Sequence, residues 1–282
     1  MRTVQIPVKK TVTAADLLPR IKVSAVLITY NEEHCIAETL SKLQWCDEII
    51  IVDSYSTDNT VSVCREFGCN VSFRSFDGFG SQKKHAVSLA KNDWILAIDA
   101  DEVLTDALIA EFQEQLSSNS QAVAFSVPMN LVFLNKEFKK GKESSRSYIR
   151  LFNKQHGNFS DATVHEGIEV NGKTVQLKNR IKHYSYTSVR ECLDKCNRYS
   201  TYSADISFRK GKSKSAFAII MGLPFNFFKY YFLELNFLNG LKGFYWSIFS
   251  SYYHFAKYVK LREMHTAAAA SSHQLTLLKQ IA

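Results

Sequence analysis

The sequence predicts an α/β fold: a mostly parallel sheet flanked by helices, followed by an aromatic-rich helical appendage. Three observations carry this expectation. Short apolar, β-branched runs alternate with segments of helical periodicity as far as Val127. Three of those runs end in polar or acidic residues. Beyond Ser188 the alternation stops, and aromatic residues crowd among lysines.

Val23–Ile28 is a nearly continuous apolar run, the pattern of a strand buried on both faces, and it ends at Thr29-Tyr30-Asn31-Glu32. Ile36, Leu40 and Leu43 then repeat at helical spacing. Glu48–Val52 is the second strand and stops at Asp53-Ser54. Ser56-Thr57-Asp58 supplies N-cap chemistry for a helix through Val61 and Cys64, and Gly68 closes it. A short strand over 70–73, a helix over 81–91 after Gly78 and Gly80, and a strand over 94–98 follow. A helix over 105–116 and a strand over 122–127 complete the alternation. A later strand is expected in the 175–181 region, with His183 at its end.

At 282 residues the chain can form one large domain, or one domain plus an appendage, and 46% hydrophobic residues exclude global disorder. The net charge of +8 suits either a polyanionic partner or a solubilising surface. The six cysteines form no CxxC pair and no zinc-finger spacing, so reduced thiols in a cytosolic protein are expected. Met1 to Arg20 lacks the apolar core of a signal peptide. No run reaches 18 consecutive apolar residues, and the uncharged stretches 216–228 and 243–256 are short for a membrane span.

Right-handed crossovers bring the three polar strand ends to one edge of a parallel sheet, where ligands of such sheets bind. Asp99-Ala100-Asp101 offers two carboxylates one residue apart, a donor set for Mg²⁺ or Mn²⁺, although an acidic turn has the same composition. Asp53 is placed to accept from a ribose or a base, or to cap the next helix. The loop 77–84 joins glycines, a helix N-terminus and Lys83 with Lys84, which suits a phosphate or an ordinary turn. No serine nucleophile elbow and no HExxH occurs. Metal, phosphate and carboxylates remain, and group transfer from a nucleoside diphosphate fits that inventory.

The runs 28–33, 52–60, 79–83 and 93–102, in this order and spacing, resemble the family 2 glycosyltransferases of GT-A fold across residues 22–116. Arg150-Leu151-Phe152, Thr163-Val164-His165-Glu166, Ile181–Ser185, Lys195–Ser200 and Phe237–Gly240 are similar to the subgroup building lipopolysaccharide core, of the WaaE β-glucosyltransferase type. Members more often read Gly-Phe-Leu-Asp-Gly where Asn236 and Asn239 stand here. The resemblance implies that Thr29, Tyr30, Glu32 and Asp53 line the donor pocket and that Lys83 lies near the diphosphate. It further implies that Asp99 approaches the ribose or the metal, and that Asp101 ligates Mg²⁺ or Mn²⁺ directly. Glu166 is the expected catalytic base and Asp161 its rival. His183 is either a further metal ligand or a packed histidine; His165 shares the ambiguity.

The expected organisation is an N-terminal extension (1–21), a glycosyltransferase domain (22–187), a helical and membrane-associated or domain-packed segment (188–265), and a tail (266–282). The resemblance implies an inverting, metal-dependent hexosyltransferase. Its donor is a UDP-hexose, glucose first, and its acceptor a lipopolysaccharide-core or related glycan, on the cytoplasmic face of the inner membrane. Two alternatives stay open: a polyprenyl-phosphate sugar synthase, and a non-catalytic protein that binds polyanions or membrane.

Overall fold

A computed structural model describes residues 20–118, 121–160 and 167–281. The chain divides into two compact units, with boundaries between Asn130 and Leu131, Ser144 and Ser145, and Tyr184 and Ser185. In order, the elements of the front part are β1 (Val23–Thr29), α1 (Ile36–Ser41), β2 (Glu48–Asp53), α2 (Thr60–Glu66), β3 (Asn70–Phe73), α3 (Phe79–Leu89), β4 (Trp94–Ala97), β5 (Glu102–Leu104) and α4 (Asp106–Ser117). Then come β6 (Ala122–Phe133), β7 (Lys136–Glu137), β8 (Ser147–Asn153), β9 (Gly157–Phe159), β10 (Ile168–Val170), β11 (Lys173–Gln176) and β12 (Ile181–Tyr186).

In the first unit the sheet runs β3-β2-β1-β4-β8-β6-β12-β5. The strands from β3 to β4 are parallel, as expected, and β8 then pairs antiparallel with both β4 and β6. Successive residues of β1 point to opposite faces. Val23, Ala25 and Leu27 join Ile36, Leu40 and Phe112, whereas Val26 packs with Ala86 and Val87. Covered on both faces, the strand is apolar at nearly every position, which is why β1 reads as a nearly continuous run. Its buried Ser24 and Thr29 hydroxyls donate to Glu48 and Asp53.

The departures from expectation lie mainly in the later strands. β6 extends six residues past Val127 through Pro128 and Asn130, two residues that read locally as a turn. Pairing of Pro128 with Ser147 and the bond from Met129 N–H to the Arg146 carbonyl (2.9 Å) carry the strand through. The expected 175–181 strand is two strands, β11 and β12, so His183 lies inside β12 rather than at a strand end. β5, directly after Asp101, was not expected, because three residues are too few to show a period. At α2 the capping group is Asp58, whose carboxylate accepts from Thr60 N–H (3.0 Å).

The second unit holds α5 (Val189–Arg209), α6 (Ala216–Phe228), a π-helical turn (Lys229–Leu233), a 3₁₀ turn (Asn236–Asn239) and α7 (Leu241–Ile281). Ser188 caps α5 by accepting from Glu191 N–H (3.1 Å), and Glu191 returns the bond by accepting from Thr187 N–H (2.8 Å). Phe133, Phe138, Cys192 and Cys196 form its buried cluster, with Trp246 edge-on to Phe133 at 5.3 Å between ring centres. The two cysteines share a buried face of α5, as their spacing predicts, and all six cysteines are free thiols. Among the described residues, one helical run, Ala216–Leu233, is long and apolar enough by length and composition to cross a membrane.

His254 of α7 meets the Tyr230 hydroxyl at 2.7 Å, and burial, then Lys257 and Lys229, depress its pKa below the ordinary 6.5. The folded state therefore keeps this imidazole neutral while the unfolded chain takes up a proton. The resulting stability is complete above pH 6.5 and declines as pH falls below it. Thermal melts between pH 8 and about pH 5 should show this loss, and His254→Gln should flatten the slope.

Candidate active site

The parallel register pairs Thr29 with Asp53 and Val26 with Ala97, so β1, β2 and β4 end on the same edge of the first unit. Here the structure brings together most of the predicted residues. Asp53 is fully buried: one carboxylate oxygen accepts from the Thr29 hydroxyl (2.8 Å) and the Ser56 hydroxyl (2.6 Å), the other from Ser56 N–H (2.7 Å). The two loops that follow are laced together. Asn31 N–H donates to Ser56 Oγ (2.9 Å), Glu32 N–H to Thr60 Oγ1 (2.7 Å), and Thr57 N–H to Asn31 Oδ1 (2.8 Å). Asn31 and Tyr55 take left-handed backbone at φ 57° and 64°, a strained conformation for tyrosine that this lacing holds in place. Tyr30 stands 51% exposed beside it.

Asp53 thus acts as a clip between the loops. Asp53→Ala removes three charge-assisted bonds and strands the buried Thr29 hydroxyl and the half-buried Ser56 hydroxyl, so a loss of about 3 kcal/mol in urea unfolding is expected, together with donor affinity.

At the end of β4, Asp99 meets Lys83 Nζ at 2.8 Å and Arg150 at 3.6 Å. Burial opposes ionisation of Asp99, yet Lys83 and then Arg150 outweigh it and hold the carboxyl well below the usual range. Arg150 grips Glu102 with two parallel bonds, Nε to Oε2 at 2.8 Å and Nη2 to Oε1 at 2.5 Å. Burial raises the Glu102 carboxyl, while Glu102 and then Asp99 keep the buried Arg150 firmly protonated. β8 supplies the arginine because Leu151 pairs with Leu96 in antiparallel register, which puts Arg150 beside Ala97 at the end of β4, next to the acidic run. Lys83, Asp99, Arg150 and Phe159 line a cleft beside β1 and β4, with the Lys83 ammonium 5.6 Å from the Phe159 ring centre.

Asp101 faces His183: Nε2 lies 3.2 Å from Oδ2, and Tyr184 N–H donates to the Asp101 carbonyl (2.8 Å). The antiparallel pairing of His183 with Glu102 sets this contact. Burial works against the charge on His183, but Asp101 lifts its pKa to about 9. Two donors adjacent on an ion with bonds of about 2.1 Å lie about 3 Å apart, so this carboxylate and imidazole have the spacing of a ligand pair. Asp99 turns toward its two cations instead. Asp161, His165 and Glu166 lie outside the described residues.

Sequence reasoning assigned no role to Arg150 or Glu102. The clue was a lone arginine inside the apolar run Ile149–Phe152, which a buried strand tolerates only with a partner. A second cluster was also missed. Glu32, His34 and Cys35 bring their ligand atoms within 4.8 Å of one another, a candidate metal-binding group whose thiol and imidazole suit softer ions such as Zn²⁺.

The chain matches the model of glycosyl transferase family 2 over residues 24–168. It is 33% identical to an uncharacterized glycosyltransferase of Rickettsia conorii, over 86% of this chain and 90% of that protein. It is 28% identical to the lipopolysaccharide core biosynthesis glycosyltransferase LpsC of Rhizobium meliloti, over 90% of this chain and 96% of that one. Among solved structures it is similar to residues 1–349 of S. aureus TarS, at 16% identity and a TM-score of 0.44, over 65% of each chain. With half its length matched by the family model and a relative of that identity along most of its length, the chain belongs to glycosyl transferase family 2.

Proposed function

We propose that this protein is an inverting, metal-dependent hexosyltransferase related in specificity to the WaaE type. It moves glucose from a UDP-linked donor to a hydroxyl of a lipopolysaccharide-core or related surface glycan. The observation that carries the reading is the meeting of Lys83, Asp99 and Arg150 with Asp101 and His183 at one sheet edge. The similarity to LpsC of R. meliloti, a lipopolysaccharide core biosynthesis glycosyltransferase, supports the acceptor class.

In the reaction an acceptor oxygen attacks the anomeric carbon opposite the diphosphate. The bond from that carbon to the leaving oxygen breaks, and its electron pair departs with UDP. Lys83 is the mobile cation: an arriving diphosphate competes with Asp99 for its ammonium. Arg150, pinned by Glu102, keeps its charge beside the cleft throughout. Asp101 and His183 would hold Mg²⁺ or Mn²⁺, which when bound offsets negative charge on the departing diphosphate. Asp53 and Thr29 hold the loops that present Tyr30 and Glu32 to the nucleotide. Glu166 takes the acceptor proton, with Asp161 as the alternative base. Residues 22–187 carry this chemistry, and 188–265 keep the enzyme peripheral on the cytoplasmic face of the inner membrane.

A screen of nucleotide sugars with Mn²⁺ and a core-oligosaccharide acceptor tests the reading, with linkage analysis of the product. Glu166→Gln should remove transfer by about 10³-fold while UDP binding in calorimetry is unchanged. If Asp161→Asn does this and Glu166→Gln does not, the base is Asp161. Failure of every nucleotide to bind, with or without Mn²⁺, overturns the whole proposal.

A further inference from the structure

The helix α6 is built the wrong way round for water. Its inner flank, laid against α7, carries Ile219, Gly222, Asn226 and Phe227, with the Phe227 ring edge-on to Phe244 at 5.5 Å. Its outer flank carries Phe217 (74% exposed), Ile220 (64%) and Phe225 (66%), and the apolar surface continues through Phe228, Leu233 and Leu241. An amphipathic helix on a water-soluble domain shows the opposite arrangement. A continuous exposed apolar surface of this kind marks a face that something covers.

The surrounding charge says what covers it. From Ile206 to Arg262 the chain has nine lysines and arginines and a single acidic residue, Glu234. Glu234 is itself buried and paired with Lys142 at 3.2 Å, so it leaves little negative charge at this surface. Arg209, Lys210, Lys212 and Lys214 are all exposed immediately before α6. Two copies of such a face repel each other. An anionic lipid surface matches both features, taking the rings into its acyl boundary and the lysines at its headgroups.

We infer that the outer face of α6, with the π-helical turn after it, docks flat on an anionic phospholipid bilayer. The helix lies in the interface rather than crossing it. Its inner flank is held on α7, and Lys229 sits inside the apolar run 3.8 Å from Glu234, a charge that spanning would carry into hydrocarbon. The inference deepens the peripheral placement proposed above and rests on it for the choice of membrane.

The test is co-sedimentation of the full chain with vesicles of phosphatidylglycerol and phosphatidylethanolamine, against vesicles of phosphatidylcholine alone. Binding to the anionic vesicles is expected, weakened by high salt. Phe217→Glu with Phe225→Glu should reduce it by more than about tenfold. Lys210→Gln with Lys212→Gln should reduce it by about fivefold per charge. All four positions are exposed, so circular dichroism melts should stay those of the wild type. Equal binding by the double glutamate variant overturns the inference. So does a wild-type chain that forms a dimer through these phenylalanines and leaves anionic vesicles alone. A chain that binds vesicles but turns over no nucleotide sugar keeps this inference and removes the catalytic one.

Discussion

Asp101→Ala should lower hydrolysis of UDP-glucose in the presence of Mn²⁺ by about 10³-fold or more, the largest effect expected of any single change here. The Asp101 carboxylate faces the His183 imidazole, whereas the Asp99 carboxylate faces an ammonium and a guanidinium. In the proposed metal site, removing the Asp101 carboxylate would leave His183 alone as a donor, and a single neutral nitrogen is a poor hold for a hard divalent ion. The same variant should lose Mn²⁺ binding in electron paramagnetic titrations, a readout independent of turnover. His183→Ala should cost less, about 10²-fold, because the carboxylate stays. Full activity of Asp101→Ala with every donor that the wild type accepts would end the metal assignment.

Arg150→Ala is expected to have the largest effect on folding, about 3–5 kcal/mol in urea denaturation. Glu102 is 1% exposed, and Arg150 satisfies both of its carboxylate oxygens. Without the guanidinium the buried Glu102 carboxyl loses the cation that holds both its oxygens, and Asp99 loses one of its two ion-pair partners. Arg150→Met combined with Glu102→Leu should recover most of the stability, since an apolar pair of similar volume avoids the stranded charge. That double variant should still bind UDP at least about tenfold more weakly, because the cleft has lost a cation. A double variant with normal UDP affinity would show that Arg150 serves packing alone.

Much of the first unit was legible in the chain. The parallel order and the shared edge follow from local patterns: β-branched runs of strand length, helices of the right period between them, and the right-handed crossover. Asp53, Lys83, Asp99 and Asp101 drew attention as candidates because each sits near a strand end or a helix start, positions that sequence marks. Arg150 and Glu102 were not assigned, because they are 48 residues apart and meet only through the antiparallel register of β8 on β4. His183 was expected at a strand end and lies inside β12, since β11 and β12 are too short and too polar to separate by pattern.

The aromatic block shows the same division. Composition established that rings and lysines alternate after Ser188. Only packing divided the rings into those that build the core, such as Phe133 and Trp246, and those left outside, such as Phe217 and Phe225.

By itself the sequence determined the fold class, the family and the carboxylates that end the strands, because these depend on interactions between neighbours in the chain. Tertiary structure decided which cation each carboxylate holds, that Asp53 clips two loops together, and which side of α6 faces outward. Those outcomes depend on strand register and helix rotation. Both are fixed by contacts between distant segments, and a shift of one residue would turn each of these side chains to another face.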